Sequence, residues 1–209
     1  MRILITEDHA VVRQGLKLIL ADHFKKAVFG EARNATEALA LVWKEKWDVV
    51  LLDITMPGRS GLEVLKEIKR SRPKLPVLIL SMLPEDQFAV RLLKAGAAGY
   101  LTKESAAEEL VGAIKKVVGG GRYISPSLAE RMASYLTLDV RKAPHERLSD
   151  REFLILRMIA SGKQVSQIAK ELSLSVSTVS TYRARILEKM DMKNKAELTH
   201  YALQKGLVD

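Results

Sequence analysis

Cysteine is absent from the 209-residue chain, which excludes disulfides, thiolate nucleophiles, iron–sulfur clusters and cysteine-ligated zinc, and accords with a reducing compartment. Histidine is nearly as scarce: the four, at positions 9, 23, 145 and 200, share no ligand spacing. No apolar run approaches the ~20 residues of a membrane span, and the first residues lack the charged-then-apolar build of a secretory signal. A cytoplasmic protein without membrane contact is the expectation. Aromatic residues make up only 5%, but hydrophobic residues reach 47% and charged ones 28%, the composition of an ordinary globular protein rather than a disordered one. The length allows one large domain or two small ones.

What the chain has in excess is positive charge, +9 overall. Residues 1–140 carry 21 Lys and Arg against 17 Asp and Glu, whereas residues 141–209 carry 13 against 8. More than half of the surplus therefore sits in the last third, where a polyanion is the partner to expect.

Short β-branched runs alternate with amphipathic stretches over the first 120 residues. Strands are expected at Ile3–Ile5, Val28–Phe29, Val49–Leu52, Val77–Leu80 and Gly99–Leu101, with helices at about 10–22, 35–45, 61–71, 85–95 and 105–118. Uninterrupted apolar strands suit a parallel sheet covered on both faces, so five βα units predict one doubly wound α/β domain. After Gly119–Gly121 the alternation ends. A linker with one short helix, about 127–136, is expected over residues 121–147, and from Ser149 the pattern is helical only. Four helices are expected at about 149–161, 165–172, 176–190 and 194–205, the first opened by a Ser149/Glu152 capping box.

In an open parallel sheet the ligand site lies beyond the carboxyl ends of the strands. The residues there are Glu7 and Asp8, Asp53, Ser81 and Lys103. Three carboxylates this close repel unless a cation joins them, and an all-oxygen set suits Mg²⁺ better than zinc. Lys103 offers a charge and Ser81 a hydroxyl to an anion beside that metal. Together these are the parts for phosphoryl transfer, with Asp53 as nucleophile. Nearby, His9 reads as a solvated loop histidine and Arg13 as a surface arginine, while Trp43 and Trp47 read as packing residues.

With Glu7-Asp8, Asp53-x-x-Met56-Pro57-Gly58-x-x-Gly61, Ser81 and Lys103 in this order, residues 1–120 resemble the flavodoxin-like receiver domain of bacterial two-component response regulators. The resemblance implies that Asp53 accepts a phosphoryl group from a histidine kinase. It implies Mg²⁺ held by Asp8, Asp53, the Thr55 backbone carbonyl and Glu7, with Lys103 and Ser81 at the phosphoryl group and Tyr100 as the aromatic partner of the Ser81 switch. Glu7 stands where an aspartate is also common.

In residues 148–209 two short helices meet at a tight turn around Leu172–Ser175, and Val179, Ile186 and Met190 form one apolar stripe. That is the build of a helix-turn-helix. Ser177, Ser180, Thr181 and Ala184 fall opposite the stripe, placed for base edges in a major groove; Thr178, Arg183, Arg185 and Lys189 flank them, placed for phosphates. The segment, with Leu148-Ser149-x-Arg151-Glu152, Gly162, Ile168-Ala169, Thr178-Val179, Lys189-Met190 and Asn194-x-x-Glu197-Leu198, resembles the LuxR-type domain of the NarL/FixJ subfamily. It departs at Gln164, Val165, Ser166 and Tyr182, and its reading helix has Ser180 and Ala184 where lysines often sit.

The combined expectation is a phosphorylation-controlled transcriptional regulator that binds double-stranded DNA as a homodimer, with RNA polymerase a further candidate partner. It would be no enzyme beyond its own phosphotransfer and dephosphorylation. Two alternatives remain: a regulator whose DNA binding ignores phosphate, and a Mg²⁺-dependent aspartyl-phosphate phosphatase, which needs an aspartate where this chain has Thr55.

Overall fold

The computed structural model describes residues 1–56, 59–83, 85–137 and 143–208; Pro57 and Gly58 of the turn after Asp53, and Asp209 at the end of the expected second domain, lie outside them. The described residues divide at residue 137 into two compact units.

In the first unit the order is β1 (Arg2–Thr6), α1 (Ala10–His23), β2 (Val28–Ala32), α2 (Ala35–Lys44), β3 (Val49–Asp53), α3 (Gly61–Ser71), β4 (Val77–Ser81), α4 (Glu85–Lys94), β5 (Gly99–Thr102), α5 (Ala106–Val118) and α6 (Pro126–Thr137). The five strands are all parallel, in the order β2-β1-β3-β4-β5. Every residue of β3 and β4 is buried, whereas edge strand β2 is mostly half-covered. This is why the inner strands carry no polar alternation. On one face, Ile3, Ile5, Leu51 and Leu80 pack against Leu16 and Leu20 of α1 and Leu110 and Ile114 of α5. The chain steps from β1 outward to β2 and then back to β3, so the sheet's reversal point lies between β1 and β3. Pairings Thr6↔Leu52, Asp53↔Leu80 and Ser81↔Thr102 bring the strand ends to one level beside it.

Of the two tryptophans, Trp47 packs as expected. Its ring lies over Gly30, where any Cβ would come within 2.2 Å of it, and its Nε1 donates to the Leu41 carbonyl at 3.0 Å. Trp43 does not pack; it lies on the solvent side of α2 and is exposed.

The expected linker is divided. Its first part is built into the first unit: the Tyr123 amide donates to the Ala98 carbonyl at 2.8 Å beside β5, and the Tyr123 hydroxyl donates to Glu109 at 2.5 Å. Burial, with Glu109 beside it, pushes this phenol up to about 12. Leu128 of α6 is buried. The Ser125 hydroxyl accepts from the Leu128 amide and donates to Glu85 at the start of α4 at 2.5 Å, and Ser127 donates to the same carboxylate oxygen at 3.2 Å. Residues 138–142 of the linker lie outside the described residues.

The second unit is helical: a 3₁₀ turn at Pro144–Arg147, then α7 (Asp150–Ala160), α8 (Val165–Glu171), α9 (Val176–Met190) and α10 (Lys195–Gln204). Phe153, Leu156, Ile168, Val179, Ile186 and Leu198 are buried in it. The capping box at α7 forms with both bonds, Ser149 amide to Glu152 at 2.7 Å and Glu152 amide to Ser149 Oγ at 3.4 Å. Asn194 caps α10. Among the described residues, no helix is long and apolar enough to cross a membrane.

Candidate functional site

The strand ends of the first unit gather the expected residues. Glu7 and Asp53 are each 1% exposed and Ser81 is fully buried. Lys103 reaches in from beyond β5, its Nζ 2.8 Å from Asp53 Oδ2 and 2.7 Å from Glu7 Oε2. Burial alone would lower the pKa of this lysine; the bonds to Asp53 and Glu7 outweigh it and hold the ammonium above the ordinary lysine value. The other Asp53 oxygen, Oδ1, accepts from the Thr55 amide at 2.9 Å and the Thr55 hydroxyl at 3.0 Å. Both carboxylate oxygens are thus oriented by groups from two loops.

Behind Asp53, α3 begins at Gly61, whose amide donates to the Ile54 carbonyl at 3.1 Å. A Cβ there would stand 2.2 Å from the Asp53 carbonyl oxygen. Only glycine lets the helix start this close to the candidate nucleophile's own peptide.

Glu7 and Asp53 share one ammonium, and Oδ1 of the third carboxylate, Asp8, is buried yet accepts no hydrogen bond among the described residues. Its near neighbour is His9 Nδ1, 3.1 Å away. Glu7, Asp8, His9 and Asp53 offer donor atoms all within 4.8 Å of one another. Surplus negative charge around an orphaned oxygen is an environment that takes up a divalent cation, and the residues present fit Mg²⁺.

Sequence reasoning missed Arg13. It is 6% exposed rather than on the surface, and its guanidinium donates to the Glu7 carbonyl at 2.8 Å and to Glu31 at 3.1 Å. Glu31 also accepts from Lys17 at 2.7 Å. The Lys17 hydrogen bond, opposed by burial and reinforced by Arg13, holds the Glu31 carboxyl below the usual range. The signal was present: Arg13, Leu16 and Leu20 occupy one helical face, and all three are buried.

Ser81 and Tyr100 meet at one residue. The Ser81 hydroxyl oxygen accepts from the Leu83 amide at 3.1 Å, while the fully buried Tyr100 donates its hydroxyl to the Leu83 carbonyl at 2.6 Å. Leu83 is held through both of its peptide groups, and the Tyr100 ring is already turned inward.

In the second unit the α9 face opposite Val179, Ile186 and Met190 is open. Ser177, Thr181, Arg183, Ala184, Arg185 and Lys189 are exposed; Thr178 and Ser180 are half-buried. Several are engaged internally. Ser177 and Thr178 lie 2.8 and 2.7 Å from the N-cap hydroxyl of Ser175, and the Thr181 hydroxyl donates back to the Ser177 carbonyl at 3.0 Å. Lys189 donates to Glu152 Oε2 at 2.7 Å. Burial would raise the pKa of Glu152; Lys189 and Ser149 more than offset it and keep the carboxyl low. Sequence reading gave Lys189 no such partner, because Glu152 lies 37 positions away.

A doubly wound domain with an oriented strand-end aspartate, an acidic cluster and a bridging lysine is a phosphoreceiver, and the helical unit is a helix-turn-helix. The chain matches the response regulator receiver domain over residues 3–115 and the bacterial regulatory proteins of the luxR family over residues 146–202. It is 41% identical to response regulator GacA of Pseudomonas aeruginosa across 100% of this chain and 98% of that one. To response regulator UvrY of Escherichia coli it is 38% identical across 99% and 95%. A structure of RcsB from Salmonella enterica serovar Typhimurium, bound to promoter rprA with phosphomimetic BeF₃⁻, is 26% identical and covers 96% of this chain and 98% of its own, with a TM-score of 0.63. The chain belongs to the response regulators that join a receiver to a LuxR-type DNA-binding domain, and it is a phosphorylation-dependent regulator of transcription.

Proposed function

We propose that Asp53 is the phosphoacceptor, that a histidine kinase is the donor, and that the phosphorylated chain, in the cytoplasm, reads DNA through α9 as a homodimer. The observation that carries this reading is the pairing of both Asp53 oxygens: Thr55 holds one, so the carboxylate is aimed, and Lys103 neutralises the other. An oxygen of Asp53 attacks the phosphorus, the bond to the donor's imidazole breaks, and Lys103 exchanges its contact with Asp53 for one with the new phosphoryl oxygens. Mg²⁺ held by Glu7, Asp8, Asp53 and the Thr55 carbonyl would supply further positive charge where the transferring oxygens gain negative charge. The phosphatase alternative is disfavoured because Thr55, which donates to Asp53 rather than carrying an acid, stands where the second aspartate is needed.

Ser81 is placed to turn its hydroxyl toward the phosphoryl group. That movement takes its oxygen from the Leu83 amide and so loosens the residue to which Tyr100 is bonded. Glu85 follows two positions later and is tied to Ser125 and Ser127, which supports a route from the phosphoryl group to α6. On α9, Ser177, Ser180, Thr181 and Ala184 face base edges, and Thr178, Arg183, Arg185 and Lys189 face phosphates. Paired half-sites about one helical turn, ~10 base pairs, apart suit a dimer. RNA polymerase is the further partner through which such binding would act on transcription.

Acetyl phosphate with Mg²⁺ tests the central step. One phosphoryl adduct per chain is expected by intact-protein mass spectrometry, and none in Asp53→Asn; an undiminished adduct in the variant refutes the assignment.

A further inference from the structure

We propose that His9 is a metal ligand that shifts the receiver's cation preference toward ions that favour imidazole nitrogen, such as Co²⁺ and Ni²⁺, over Mg²⁺. This rests on the reading of the Glu7, Asp8 and Asp53 pocket as a cation site.

His9 immediately precedes α1, and its amide donates to Glu7 Oε1 at 3.1 Å, so its Cα is tied to the acidic pair. Its Nδ1 stands 3.0 Å from that same oxygen and 3.1 Å from Asp8 Oδ1. Around an ion with donors at 2.0–2.1 Å in an octahedron, neighbouring donors lie about 3 Å apart and opposite ones about 4 Å. His9 Nδ1 is within hydrogen-bonding distance of Glu7 Oε1, and the same spacings would serve neighbouring donors of one shell. All four donors lie within 4.8 Å of one another, somewhat wider than the ~4 Å across such a shell, so the mobile ring has to draw in toward Asp53 around an ion. The side chain is 68% exposed, so the ring can adjust to the ion without disturbing any packed neighbour.

Oxygen donors alone favour Mg²⁺, Ca²⁺ and Mn²⁺, while imidazole suits the later divalent metals, whose affinity for any such site rises from Mn²⁺ through Co²⁺ to Ni²⁺. With three carboxylates and one imidazole the pocket keeps its hold on Mg²⁺ and gains selectively for Co²⁺ and Ni²⁺. Among the described residues, Glu7, Asp8, His9 and Asp53 form the one group able to hold such an ion.

The test uses the full chain without a histidine tag, titrated calorimetrically with Mg²⁺ and with Co²⁺. His9→Ala should lower the Co²⁺ affinity about tenfold or more while changing that for Mg²⁺ less than about threefold. Pulsed EPR of the Mn²⁺-loaded protein should show nitrogen modulation in the wild type that His9→Ala abolishes. Asp8→Asn should remove the Co²⁺ site, which separates it from binding at His23, His145 or His200. If Mg²⁺ binds but His9→Ala weakens both ions equally, or the nitrogen modulation persists, the inference falls while the cation pocket stands. If neither ion binds the wild type, both fall.

Discussion

The two units handle charge in opposite ways. Of the six buried polar or charged side chains among the described residues, Thr6, Glu7, Asp53 and Ser81 lie at the strand ends of the first unit with Arg13 of α1 behind Glu7, and Glu152 alone lies in the second. A receiver must hold repelling carboxylates still before its ligand arrives, so it buries them and supplies a fixed counter-charge, Lys103, while Arg13 holds the Glu7 backbone carbonyl from behind. A DNA reader works on the outside, where side chains can stay solvated until they meet a phosphate. The stability of the first unit is therefore coupled to its chemistry far more tightly than that of the second.

Five substitutions sharpen or break that contrast. Gly61→Ala should be the most damaging, because its Cβ meets backbone that cannot turn aside; a loss of about 3 kcal/mol is expected by denaturant unfolding, with slower phosphorylation of Asp53. Arg13→Met should cost about 2 kcal/mol, less than a fully isolated buried pair, because Lys17 still faces Glu31. It should also weaken Mg²⁺ binding through the loosened Glu7 peptide. If it leaves both unchanged, buried charge is not what organises the first unit.

In the second unit Glu152→Gln should cost about 1–2 kcal/mol by thermal unfolding, through the weakened capping box and the lost Lys189 pair. Its pH dependence has a definite sign. The folded-state pKa of Glu152 lies below the ordinary 4.5, so the wild type's advantage is complete above that value and disappears as the pH falls through the depressed one. A gap between wild type and variant that persists in strong acid contradicts the assignment. The smallest effects belong to the open face. Arg185→Ala should reduce the slope of log affinity against log salt by about 0.9, one phosphate's worth of released counterion. Lys189→Ala should reduce it less, since that ammonium is already paired with Glu152. Equal reductions for the two variants would mean that a phosphate displaces Glu152 from Lys189 completely.

Much of the receiver site is legible in the sequence because parallel strands place their C-terminal residues at one edge, and five short apolar runs mark where those edges fall. Arg13 escaped because a charged residue near a helix start reads as solvent-facing unless its helical phase is compared with Leu16 and Leu20. Trp43 was misjudged for the converse reason: its size suggested packing, but its phase on α2 turns it outward. The open face of α9 follows from the Val179, Ile186, Met190 stripe. What its polar side chains do does not, since whether Lys189 is free or engaged depends on a partner from another helix. The tie of Ser125 and Ser127 to Glu85, which joins α6 to the first unit, is likewise a matter of distant side chains.

The two bonds on Leu83 bear on how this part of the fold can change in evolution. Ser81 and Tyr100 grip the amide and the carbonyl of that residue, atoms every amino acid except proline provides. The side chain at position 83 is therefore free to drift among descendants while the connection persists. A comparison of sequences would register the serine and the tyrosine as a covarying or constant pair and pass over the residue that joins them.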